Sequence, residues 1–120
     1  MEAAGNVEDS VTVVFTNTGP DPLTIVLEPW ADEHELPAGS RAELTSIGPE
    51  SGQVEIELRG RYVVFYAPSA GTVRLLIDGR DVDANRPGPR PAFPPVPEGF
   101  TTREFLHTLF GRPKDSSADA

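Results

Sequence analysis

The chain has 120 residues, 38% of them apolar, with no cysteine and a formal net charge of −9. That is the length of one domain. No apolar run approaches the ~20 residues that span a bilayer, and disulfides, catalytic thiols and thiolate metal sites are excluded together. The charge is uneven: residues 1–85 hold 15 acidic and 5 basic side chains, residues 86–120 hold 4 and 5. An acidic body repels a phosphate backbone, so nucleic acid is not an expected partner, and neither is a membrane.

The opening, MEAAGNVEDS, is acidic and lacks an apolar core. Residues 1–10 therefore read as a flexible N-terminus without a secretory signal, and a cytoplasmic location is expected. Nine of the ten basic residues are arginine, the usage of a GC-rich, bacterial genome.

From residue 11 the chain alternates with period two. VTVVFTN (11–17) puts Val11, Val13 and Phe15 on one face; LTIVLE (23–28) does the same with Leu23, Ile25 and Leu27. In QVEIELR (53–59), Val54, Ile56 and Leu58 point inward and Glu55, Glu57 and Arg59 outward. Such alternation predicts half-buried antiparallel strands. RYVVFYA (61–67) is apolar on both faces and belongs at a sheet centre, and TVRLLID (72–78) turns Val73, Leu75 and Ile77 inward.

Turn chemistry separates the runs. Pro20 and Pro22 break GPDP, and GPESG (48–52) and PSAG (68–71) are loops. Gly60 sits in a tight reversal, and Asp78-Gly79 predicts a type I′ hairpin returning through RDVDA (80–84). The expected fold is mainly β: an antiparallel, seven- to eight-stranded β-sandwich over residues 11–85, with one short C-terminal helix.

RPGPRPAFPPVPE (86–98) has six prolines in thirteen residues and reads as an extended linker laid along the sandwich. In GFTTREFLHTLFGRP (99–113), Thr101 and Glu104 have capping-box spacing, and Phe100 and Phe105 that of a hydrophobic staple. Gly111 and Pro113 end the helix, predicted over 102–110. Phe105, Leu106, Leu109 and Phe110 form an apolar stripe that must be buried, on the sandwich or on a partner. Residues 114–120 read as a disordered tail.

The chemistry candidates centre on LEPWADEHELPAGS (27–40). In an extended segment Trp30, Asp32, His34 and Leu36 share one face, where Asp32 and His34 can approach one ion. Two ligands are too few for a metal centre, which takes three or four, so a charged edge strand is the expected role. No phosphate loop, G-x-S-x-G or H-E-x-x-H motif occurs; no catalytic residue, metal ligand or cofactor is assigned.

The order Asn17, Pro22-Leu23, Trp30, Leu36-Pro37-Ala38-Gly39, Asp78-Gly79, linker and amphipathic helix resembles the layout of the von Hippel–Lindau family. That family has a β-sandwich with an N-S-x-P opening, a Trp, an L-P-P-G turn and a late D-G hairpin, followed by helices. The chain is also similar to small bacterial β-sandwich proteins with an E-P-W…L-P-x-G signature. The resemblance implies an immunoglobulin-like sandwich and a binding module; the family's substrate-reading positions do not align residue by residue and are not carried over.

The functional expectation is a non-catalytic interaction or accessory module for another protein, through Trp30, Asp32 and His34 and the helix residues Phe105, Leu106, Leu109 and Phe110. The alternatives are a small metal- or ligand-dependent enzyme using His34 and Asp32, and a structural subunit that self-associates through a sheet edge.

Overall fold

A computed structural model describes residues 9–85 and 90–111. Most of the expected flexible N-terminus, the start of the linker (86–89) and the polar tail lie outside the described residues. Eight strands follow in chain order: β1 (Ser10–Thr16), β2 (Leu23–Glu28), β3 (Asp32–Leu36), β4 (Arg41–Ile47), β5 (Glu55–Arg59), β6 (Tyr62–Tyr66), β7 (Thr72–Ile77) and β8 (Arg80–Asp81). A 3₁₀ turn, Ser51–Gln53, precedes β5, and one helix, α1 (Thr102–Phe110), closes the described chain.

The strands form two four-stranded sheets, ordered β1-β4-β7-β8 and β3-β2-β6-β5. Their inner faces share one core. Ile25, Leu27, Leu36, Val63 and Phe65 from one sheet meet Ala42, Leu44, Val73 and Leu75 from the other, all essentially buried. These are the alternate positions of each run, so the period-two pattern specifies the register directly.

One pairing departs from the antiparallel expectation: β2 runs parallel to β6, Thr24 opposite Tyr62 and Glu28 opposite Tyr66. The cause is the route of the chain. β2 and β6 each have an antiparallel sequence neighbour, β3 and β5. Between them β4 lies in the other sheet, and the chain re-enters at the same end. RYVVFYA is accordingly central, flanked on both sides.

Two turns follow their local chemistry. Asp78 and Gly79 have φ of 51° and 82°, the two positive values of a type I′ hairpin. Ser40 N–H donates to the Pro37 carbonyl (3.0 Å), so Pro37 opens that turn and Gly39, at φ 83°, takes its left-handed corner.

The edges β1 and β5 share one side of the molecule, because the 3₁₀ turn leading into β5 packs against β1. There the two sheets part. Val54 packs partly buried against the core, and Ile56 and Leu58 turn to the inner side opposite Phe65 and Val63, but Ile56 is 40% and Leu58 69% exposed. The alternation identified the face; the neighbouring sheet does not reach far enough to cover it.

The proline-rich segment lies along the body, as expected of a spacer. Phe93 N–H donates to the Gly71 carbonyl (3.0 Å), Val96 N–H to Ser69 Oγ (3.0 Å), and Thr72 Oγ1 to the Arg90 carbonyl (2.5 Å). These anchors deliver α1 to the outer face of the β3-β2-β6-β5 sheet.

Candidate functional site

The opposite edge, at β3, gathers Trp30, Asp32 and His34 around an arginine. Asp32 and His34 lie on the inner side of β3, opposite Leu27 and Ile25. Arg90, from the proline-rich segment and 2% exposed, enters between them. Its Nε and Nη2 donate to Asp32 Oδ2 at 2.9 and 2.7 Å. Its Nη1 reaches Asp83 Oδ2 (2.5 Å), Nη2 lies 3.5 Å from His34 Nε2, and the guanidinium sits 5.9 Å from the Trp30 ring centroid. A planar fork that is always charged suits two carboxylates and an aromatic face. Burial without such partners would be prohibitive.

Asp32 and His34 therefore converge as the sequence spacing suggests, but on a cation of the chain itself. Among the described residues no group of three or more His, Asp or Glu side chains is placed to hold a metal ion. Trp30 packs partly buried against the core.

The second cluster lies where α1 crosses the outer face of the same sheet, at β5 and β6. Arg103 donates through Nη2 to Glu57 Oε2 (3.0 Å), and Nη1 lies 3.7 Å from Glu55 Oε2. Tyr66, 4% exposed, donates its hydroxyl to Glu57 Oε1 (2.9 Å) and meets the His107 ring edge-on at 6.3 Å. Burial pushes the Glu57 carboxyl up, but the Arg103 and Tyr66 hydrogen bonds and the Arg103 and Arg59 charges outweigh it and leave its pKa lowered. Burial and the Glu57 carboxylate both raise the Tyr66 phenol, which stays a neutral donor.

The capping box is formed. Glu104 N–H donates to Thr101 Oγ1 (3.1 Å), and Thr101 N–H to Glu104 Oε1 (3.0 Å). Phe100 and Phe105 rest edge-on at 6.1 Å. The face that α1 turns to the sheet, however, carries Thr102, Arg103, Leu106 and His107 rather than the whole apolar stripe. Phe105 and Leu106 are half-buried, whereas Leu109 is 57% and Phe110 79% exposed.

Between the last turn of α1 and the β2–β3 connection runs a cleft of about 340 Å³, lined by Glu28, Pro29, Ala31, Tyr66, Leu106 and Phe110. Glu28 is held there with its carboxyl raised in pKa, because burial outweighs the Ala31 N–H bond and the Arg59 charge. His107 borders the same cleft, and its Nε2 is buried without a hydrogen-bond partner among the described residues.

The spacing does not mark Arg90, Arg103, Glu57 or Glu28 as site residues, whereas Tyr62 and Tyr66 share one face of the central strand and are legible as surface candidates. An arginine set between prolines is the one available signal for Arg90. Asn17, Leu36, Gly39 and Asp78 meet at one corner. Gly39 N–H donates to the Asn17 carbonyl (2.8 Å), Asn17 Nδ2 donates to the Leu36 and Asp21 carbonyls (3.1 and 2.8 Å), and Asp78 Oδ1 accepts from Arg41 N–H (2.9 Å). Comparison with known proteins gives no matching family, no matching curated protein and no matching solved structure.

Proposed function

We propose that the chain is a non-catalytic protein-interaction module, with its partner surface on the last turn of α1 and the adjoining cleft. One observation carries this reading: Leu109 and Phe110 are exposed, 57% and 79%, and Phe110 lines the cleft beside Pro29, Ala31 and Leu106. Large apolar side chains at the rim of a preformed apolar cleft are the usual anchors of a protein interface. The half-buried Glu28 gives that cleft a carboxyl suited to a donor on the partner, beside the polar edges of Tyr66 and His107.

Trp30, Asp32 and His34 act in this proposal as the clamp that fixes the proline-rich segment and so sets where α1 lies. The proposal includes an immunoglobulin-like or von Hippel–Lindau-like class for the body. Its support is the pair of stacked sheets and the corner built from Asn17, Leu36–Ser40 and Asp78. The parallel β2–β6 pair is a difference from a wholly antiparallel sandwich. A bacterial, cytoplasmic setting, with the E-P-W…L-P-x-G signature, belongs to the same proposal.

The test compares the tagged chain with Leu109→Asp and Phe110→Asp in a quantitative pulldown after cross-linking. A partner retained by the parent chain and lost by both variants, with unchanged circular dichroism, supports the module. An identical set of captured proteins for all three chains removes the α1 surface from the proposal.

A further inference from the structure

Among the described residues, four strands have a free edge: β1, β8, β3 and β5. Each is a template for another strand unless charge, proline, a bulge or shortness prevents it. β8 has two residues. β3 carries Asp32, Glu33 and Glu35, and β5 carries Glu55 and Glu57. β1, SVTVVFT, runs for seven residues with no charge, no proline and no glycine. It pairs with β4 without a bulge from Ser10↔Ile47 to Thr16↔Arg41.

The free edge of β1 is also correctly phased. Gly48 N–H donates to the Asp9 carbonyl and Asn17 N–H to the Ser40 carbonyl, both at 2.9 Å. Hydrogen-bonded pairs alternate along an antiparallel ladder, so odd-numbered residues bond β4. The N–H and C=O groups of Ser10, Thr12, Val14 and Thr16 point away from it.

We propose that two copies of this chain pair antiparallel through β1 about a two-fold axis at Val13. The two β1-β4-β7-β8 sheets then join into one. This register places Val11 opposite Phe15 of the second copy on the inner face, and Thr12 opposite Val14 on the outer face, with Ser10 opposite Thr16. The outward-pointing residues become the hydrogen-bonded pairs, and Val13 meets its own copy at a non-hydrogen-bonded position. Val14, 52% exposed, and Val11, 38% exposed, gain β-branched or aromatic neighbours. Asp9 falls opposite Asn17, so no acid faces an acid.

A second copy is the occupant because β1 is its own complement: read antiparallel about Val13, apolar side chains meet on the inner face and no charge meets a charge, while the chain's acidity selects this edge over the others. A chain of net charge −9 repels itself wherever its acidic edges meet, and β1 is the neutral one. An isologous contact of this kind closes at two copies. Ile56 and Leu58 line the same side of the molecule, and the joined sheet continues over them.

Sedimentation velocity over a range of concentrations, combined with amide exchange, tests the pairing. The expected result is a species of twice 12.9 kDa at high concentration. The amides of Thr12, Val14 and Thr16 should gain protection in step with its formation. Val14→Lys, at an outward position, should raise the dissociation constant at least roughly tenfold, since the charge enters the interface twice. A mass of one chain at every concentration overturns the proposal. So does a dimer in which those three amides exchange as fast as in the monomer. If Val14→Lys does not fold, the parent chain's amide exchange decides.

Discussion

Arg90 holds Asp32, 58 residues earlier in the chain, through two hydrogen bonds to one carboxylate oxygen. Both side chains lie on the inner side of the β3 edge, and Asp83 closes the far side of the guanidinium. Replacing Arg90 with alanine leaves two carboxylates facing each other over a gap. The expected loss is about 2–3 kcal/mol, at the lower end for a broken buried pair because Asp32 keeps part of its hydration. The urea midpoint measures it. Arg90→Lys should recover less than half, since an ammonium cannot present the same fork.

The Glu57–Arg103 pair makes α1 docking sensitive to acid. Glu57 has a lowered folded pKa, so its linked stability is complete above the ordinary glutamate value of 4.5. That stability is lost as pH falls through the depressed folded value. Protection of the Thr102–Phe110 amides should therefore drop below pH 4.5, and Glu57→Gln should remove most of that pH dependence.

Glu28 works in the opposite sense. Its raised folded pKa means that the folded state binds the extra proton, so stability falls as pH rises from 4.5 through the raised value. Glu28→Gln keeps an oxygen for the Ala31 N–H and removes the penalty. A thermal scan at pH 7 should show a Tm rise of about 1–3 °C, shrinking to nothing near pH 4.

Gly71 is a packing requirement. A β-carbon there would stand 2.7 Å from Pro68 Cγ and 3.0 Å from the Ile47 carbonyl oxygen. Gly71→Ala should cost about 1–3 kcal/mol. Gly52→Ala, where nothing lies within 4 Å, should change stability by no more than about 0.5 kcal/mol. Parallel denaturant titrations compare the two.

Period-two alternation located the long strands and their inner residues because each buried face repeats every second side chain. Asp78-Gly79 and the Thr101–Glu104 box were legible for the same reason: their chemistry is local. Coverage is not local. Leu58 faces inward by its register, yet the second sheet stops short of it. Leu109 and Phe110 share the helix with Leu106, but Arg103 and His107 turn toward Glu57 and Tyr66 instead. The parallel β2–β6 pair and the Arg90 clamp depend on where distant segments return, which no window of neighbouring residues contains.

The separation of Asp32 from Arg90 is also an interval of time. Chains are made at about 5–20 residues per second, so 58 residues correspond to roughly 3–12 s. For that interval the acids of the β3 segment are present in the chain without Arg90. Their mutual repulsion and hydration then oppose premature pairing with other nascent chains, and the edge is secured only after all eight strands have been synthesised.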